Sequence, residues 1–206
     1  MSSELDFVHR FVPGSSDRTL LLLHGTGGNE HQLIPLGREL DPAAALLSPR
    51  GKVLENGHAR FFRRLAEGVF DLEDLQRRTD ELAEFVLAAA AHYQFAVEKM
   101  VAVGYSNGAN IAASILLRRA GVLQTAVLLR AMVPFLPEKL LDLSTVRVWI
   151  AGGKQDVIIA PAETQRLADL LQAAGANVSA HFFEAGHGLT NEEFVLVSRW
   201  LKKLGP

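Results

Sequence analysis

The sequence predicts an α/β fold built on a mostly parallel sheet with helices on both faces. Three observations carry that expectation. Short apolar runs such as residues 19–23, 100–103 and 146–151 lack the polar alternation of a strand with one wet face, so they read as strands buried on both sides. Helical patterns separate them, the rhythm of strand–helix–strand crossovers. Glycine-rich turns follow several of the runs, where an open parallel sheet presents its ligand.

Taken in order, residues 7–12 alternate weakly and read as an edge strand ended by Pro13-Gly14-Ser15-Ser16-Asp17. Residues 19–23 form a central strand that empties into His24-Gly25-Thr26-Gly27-Gly28. Leu33, Ile34, Leu36 and Leu40 put helical spacing on residues 30–40, and residues 44–47 are a second short core strand. Residues 48–70 keep neither period; they hold Asn56-Gly57 and the cluster Arg60-Phe61-Phe62-Arg63-Arg64. They read as a long loop, with at most a helical turn, over one end of the sheet. Residues 72–93 are a long helix, with Leu75, Leu82, Phe85, Val86 and Ala89 opposite Glu73, Asp74, Arg77, Arg78 and Glu81. Strands at 100–103, 125–129, 146–151 and 179–183 alternate with helices at 107–118, 164–174 and 192–204, the last turning Phe194, Val197, Trp200, Leu201 and Leu204 inward. The sum is a sheet of about seven strands.

Bulk properties narrow the classes. The 206 residues are read as a single domain, 1–206, large enough to bury roughly 70% of its unfolded surface. Hydrophobic residues at 49% and charged ones at 21% describe an ordinary globular chain. A net charge of −2 offers no electrostatic reason to expect nucleic acid or an anionic membrane as partner. The absence of cysteine excludes disulfides, thiolate metal sites and a cysteine nucleophile. The acidic opening residues 1–6 lack the pattern of a signal peptide. The longest apolar stretch, residues 126–136, is broken by Arg130 and Pro134, far short of the ~18 apolar residues of a membrane span. A cytoplasmic location without stable membrane insertion is expected. No His/Asp/Glu set has ligand spacing, so neither metal nor cofactor is expected.

The chemistry centres on Gly104-Tyr105-Ser106-Asn107-Gly108, where a strand turns sharply into a helix. Glycines two places either side of a serine let the turn close without clashes, and the hydroxyl is presented beside free helix N–H groups. Two more polar turns follow strands on the same rim: Gly152-Gly153-Lys154-Gln155-Asp156 and Glu184-Ala185-Gly186-His187-Gly188. Ser106, Asp156 and His187 thus occur in the chain order of α/β-hydrolase triads. A serine hydroxyl is a poor nucleophile until an imidazole takes its proton, and that imidazole needs a carboxylate to fix its tautomer. Asp142 precedes a strand and Asp169 lies within a helix, so neither competing acid reaches the rim. The N–H groups of Thr26 and Asn107 are the candidate oxyanion donors. The chain has neither G-x-x-x-x-G-K-[ST] nor G-x-G-x-x-G, which argues against reading the glycine loop as a phosphate site. His24 is expected to prop that loop, and His181 to point away from the rim.

These motifs together resemble the α/β-hydrolase superfamily and, within it, the small phospholipase/carboxylesterase group that includes acyl-protein thioesterases. The chain is most similar to bacterial carboxylesterases linked to hydroquinone and catechol resistance, through Ser48-Pro49-Arg50-Gly51, Glu55-Asn56-Gly57, Arg60-Phe61-Phe62-Arg63-Arg64, Gly104-Tyr105-Ser106-Asn107-Gly108-Ala109-Asn110 and Met132-Val133-Pro134. The likeness spans residues 19–201. One departure is Ala131, where the group's pattern carries proline. The superfamily's dienelactone hydrolases use a cysteine nucleophile, which this chain cannot supply. The resemblance implies an α/β-hydrolase fold without a large lid and the triad Ser106, Asp156 and His187, with Thr26 and Asn107 as oxyanion hole. It also implies cleavage of small carboxylic esters or thioesters through an acyl-enzyme; members are often homodimers. Lysophospholipase or acyl-protein thioesterase activity, or a non-catalytic binding role on the same fold, are the alternatives.

For the substrate, Phe61, Phe62, Met132, Val133 and Ile158 are candidate pocket residues. Of Arg60, Arg63 and Arg64, Arg63 is the one expected to point inward, where a guanidinium would grip a carboxylate. The competing reading pairs these arginines with Glu55, Glu67 or Asp71 to anchor the loop.

Overall fold

The computed structural model describes residues 5–205; residues 1–4, part of the acidic opening read for signal character, and residue 206 lie outside them. The chain enters through β1 (His9–Val12) and β2 (Thr19–Leu23), then passes through α1 (Ile34–Leu40) to β3 (Ala45–Pro49). Two small hairpins follow, β4 (Val53–Glu55) with β5 (His58–Arg60), and β6 (Arg64–Ala66) with β7 (Val69–Phe70). Helix α2 (Leu72–Tyr93) leads to β8 (Met100–Tyr105), α3 (Asn107–Arg118) and β9 (Thr125–Leu129). Strand β10 (Arg147–Gly153), α4 (Pro161–Ala173), β11 (Asn177–Phe183) and α5 (Asn191–Lys203) complete the order.

Seven strands form one sheet in the order β1-β3-β2-β8-β9-β10-β11. Only β1, at the edge, runs antiparallel. Alternate residues of the central strands feed two cores. Leu21, Leu23, Ala102, Leu128 and Ile150 pack with Leu82, Val86, Ile115 and Leu167 of α2, α3 and α4. Leu20, Leu22, Val103, Val127 and Trp149 pack on the other face with Leu36, Leu40, Val197 and Leu201 of α1 and α5. Both faces being dry, these strands read as unbroken apolar runs. Burying one such leucine stabilises the fold by about 2 kcal/mol.

Topology positions the site. From β2 the chain steps one way to β3, and α2 then carries it across to the other side of β2 for β8. The strand order therefore reverses between β2 and β8, where Leu23, the last residue of β2, pairs with Gly104, one short of the end of β8. A crevice beyond the carboxyl ends at such a reversal is where open sheets bind ligands.

Two expectations are corrected. Residues 48–70 are not a loop but the end of β3 and the two hairpins. Asn56 and Gly57 take φ 51° and 80°, the left-handed pair a two-residue hairpin needs. The helix expected over 30–40 starts only at Ile34, with Pro35 in its first turn. Glu30 instead turns inward to Arg50, with contacts of 2.5 and 2.7 Å. Among the described residues no helix is long and apolar enough to cross a membrane.

Candidate active site

The turn after β8 is built as the glycine pattern requires. Ser106 sits at φ 52°, ψ −114°, a strained conformation for a residue with a side chain. Its N–H donates to Leu129 O at 2.8 Å, and Asn107 opens α3 directly behind it. A Cβ on Gly104 would lie 2.6 Å from Gly108 O, and one on Gly108 would lie 2.0 Å from Leu23 O. Only glycine allows β2, β8 and α3 to meet this closely.

Three residues from three strand ends converge here. His187 Nδ1 lies 2.8 Å from Asp156 Oδ2, and His187 Nε2 lies 3.0 Å from Ser106 Oγ. A carboxylate only accepts, so Nδ1 carries the proton and the serine hydroxyl donates to Nε2. The other Asp156 oxygen accepts the N–H groups of Ile158 and Ile159 at 2.8 and 3.0 Å. Burial pushes this carboxyl upward, but the N–H of Ile159, the His187 ring and the N–H of Ile158 together hold it below its ordinary value.

The histidine loop has a clamp that the sequence reading missed. Three consecutive carbonyls, from Gly186 to Gly188, each accept a side-chain hydrogen bond. Arg130 donates to Gly186 O at 3.0 Å and to Gly188 O at 2.7 Å, while Tyr105 OH donates to His187 O at 3.1 Å. Arg130 is fully buried and pairs with the equally buried Glu193. Glu193 also closes the capping box of α5, accepting the Thr190 N–H at 2.6 Å. In the sequence Arg130 appears only as a charge interrupting an apolar run. Its partner lies 63 residues away, so no local pattern marks the pair.

The hairpin segment braces the opposite side. Gly27 N–H donates to Ala59 O at 2.9 Å, and Arg60 Nη1 donates to Thr26 Oγ1 at 2.8 Å. Phe61 N–H donates to Asn107 Oδ1 at 2.7 Å. His24 props the glycine loop: its Nδ1 donates to Gly25 O at 2.7 Å, and its Nε2 accepts Gly51 N–H at 2.9 Å. Burial lowers its pKa, which suits the neutral ring these bonds need. His181 stacks on Trp149 with ring centroids 4.8 Å apart.

A cleft of about 340 Å³ opens above Ser106. Thr26, Asn107, Met132, Ile158 and His187 line it. Phe62 and Arg63 do not. Phe62 is fully buried and packs edge-on against Phe70, because residues 61 and 62 anchor the hairpins to the core. Arg63 points to solvent, its side chain 65% exposed and paired with Asp71 at 2.5 Å. Arg60, Arg64 and Phe70 line the cleft instead. Phe61, also a pocket candidate, packs on His24 in the interior. A larger groove, about 640 Å³, runs along α2 between Phe7 and Arg118 and includes none of these residues.

Fold and site together define an α/β-hydrolase. Residues 55–196 match the dienelactone hydrolase family, and the chain belongs to it. The protein is a hydrolase, and it is 48% identical to MhqD of Bacillus subtilis (strain 168) over 195 residues, 95% of this chain and 98% of that one. The Bacillus cereus carboxylesterase superposes with a TM-score of 0.92 at 49% identity, covering 94% of this chain and 92% of that one. A carboxylesterase from Mesorhizobium loti gives 0.87 at 33%, covering 94% and 91%. The chain has no cysteine to serve as nucleophile, so membership of the family does not turn on that residue.

Proposed function

We propose that the protein is a serine carboxylesterase that cleaves small carboxylic esters or thioesters through an acyl-enzyme. The observation that carries this reading is the continuous hydrogen-bond chain Asp156–His187–Ser106, at 2.8 and 3.0 Å, on a strained turn at a helix N-terminus. Its kinship with the two carboxylesterases supports it.

In this mechanism Ser106 Oγ attacks the ester carbonyl while its proton passes to His187 Nε2. Asp156 holds the Nδ1 proton and stabilises the imidazolium. The carbonyl oxygen becomes an anion held by the N–H groups of Thr26 and Asn107, each worth about 3–4 kcal/mol in the transition state. Nε2 then protonates the departing alcohol or thiol, and water repeats the cycle on the acyl-Ser106. The cleft, at about 340 Å³, is small for a ligand site and suits a short acyl group.

Incubation with a fluorophosphonate followed by mass spectrometry is the test. A single adduct on Ser106, absent in S106A and in protein unfolded beforehand, is the expected result. No adduct on Ser106 in the folded protein would refute the mechanism.

A further inference from the structure

We propose that Arg60 and Arg64 form an anion subsite beside Ser106, selecting esters whose acyl half carries a second carboxylate. This rests on the esterase reading above. Arg60 is only 3% exposed, yet it lines the cleft. Its Nε donates to Phe62 O at 3.2 Å and its Nη1 to Thr26 Oγ1 at 2.8 Å, which leaves Nη2 without a partner among the described residues. Arg64 Nε donates to Glu55 Oε1 at 2.9 Å, and neither Nη has a partner among the described residues. The buried Arg60 guanidinium, with a donor unused, calls for an acceptor, and Arg64, whose side chain is 32% exposed, brings a second guanidinium to the same cleft.

The charges agree. Glu55 serves both arginines, at 3.2 Å from Arg60 and 2.9 Å from Arg64, so two cations share one carboxylate. Glu67 is the carboxylate on the cleft rim, but it sits on the exposed turn of the β6–β7 hairpin, where solvent screens it. Phe70, Met132, Ile158 and Ile159 supply apolar wall. The cleft therefore suits a short apolar chain with one anionic end.

Placement decides which half of the ester bears the anion. In the proposed mechanism His187 serves the leaving group, and it arrives on the loop after β11, toward the far edge of the sheet. Both arginines arrive on the segment that holds Thr26 and Asn107, beyond β2 and β8. The anion falls on the acyl side, which points to half-esters or half-thioesters of short dicarboxylic acids.

The test compares the mono-naphthyl ester of glutaric acid with naphthyl pentanoate, an uncharged ester of equal acyl length. The wild-type ratio of kcat/KM should favour the half-ester, and R64Q should lower that ratio about 10- to 100-fold, the scale of lost hydrogen bonds between charged groups. R64K, which keeps the charge without the fork, should fall between. Naphthyl acetate bearing its carboxylate on the naphthol ring should show no such dependence on Arg64. Equal losses on both glutarate and pentanoate esters, or no wild-type preference, overturn the subsite. Calorimetry of glutarate binding to S106A separates the two readings. Arg64-dependent binding to S106A, with no ester cleavage by the wild type, would sink the esterase mechanism and leave the subsite standing. Labelling of Ser106 with no glutarate binding would do the reverse.

Discussion

Replacing Arg130 by methionine tests the histidine clamp. The variant leaves Glu193, itself fully buried, without its cation, and strips the donors from the carbonyls on either side of His187. Breaking a buried pair by removing one partner typically costs about 3–5 kcal/mol. For a chain of this size each kcal/mol lowers the melting temperature by about 2–4 °C, so R130M should melt roughly 6–20 °C lower. Turnover should fall further than stability explains, because a misplacement of about 1 Å in a catalytic group costs on the order of 10²-fold. The double variant R130M/E193M separates the effects. Exchanging a buried ion pair for apolar side chains is often neutral or stabilising, so much of the melting temperature should return. The carbonyls of Gly186 and Gly188 would still lack donors, so kcat on a neutral ester should remain low. Thermal unfolding and steady-state kinetics on the wild type, the single and the double variant decide it. Recovery of kcat along with stability would show that Arg130 only neutralises Glu193, and would refute the positioning role.

In G108A the new Cβ would meet Leu23 O at 2.0 Å, so the elbow or β2 must shift; fluorophosphonate labelling of Ser106 should slow at least tenfold, with about 1–3 kcal/mol lost to overpacking in urea unfolding. Arg50 holds the Glu30 carboxyl down to about 2, against burial that pushes it up from 4.5. Because the folded value is the lower one, this pairing stabilises the protein above pH 4.5 and is lost as the pH falls from there toward 2; urea midpoints of E30Q should be flatter than wild type across that window, and parallel curves would contradict the assignment. Arg63 is solvent-facing, so R63A should cost under about 1 kcal/mol and leave the ratio of charged to neutral ester turnover as in wild type; a changed ratio would return Arg63 to the cleft.

How far each feature could be read in the chain depends on how local its physics is. The strands and most helices were legible because burial on both faces or one face writes a period into neighbouring residues. The 72–93 helix has the predicted bounds, with Asp71 capping it through the Asp74 N–H at 3.1 Å. The hairpins were missed although Asn56-Gly57 is a hairpin signal, because strands of three residues are too short to show alternation. The meeting of Ser106, Asp156 and His187 was foreseeable from chain order and strand ends alone.

Local patterns in the chain suffice for the doubly covered sheet, the serine elbow and the strand-end positions of Asp156 and His187, since each depends on residues a few places apart. Tertiary structure decided which arginine of the 60–64 cluster faces the cleft, because hairpin packing turns Arg63 out to Asp71 and holds Arg60 against Thr26. It also decided that the charge interrupting an apolar run is a buried clamp. Arg130 and Glu193 are brought together only when β9 and α5 pack, and a contact across 63 residues leaves no mark on the sequence near either one.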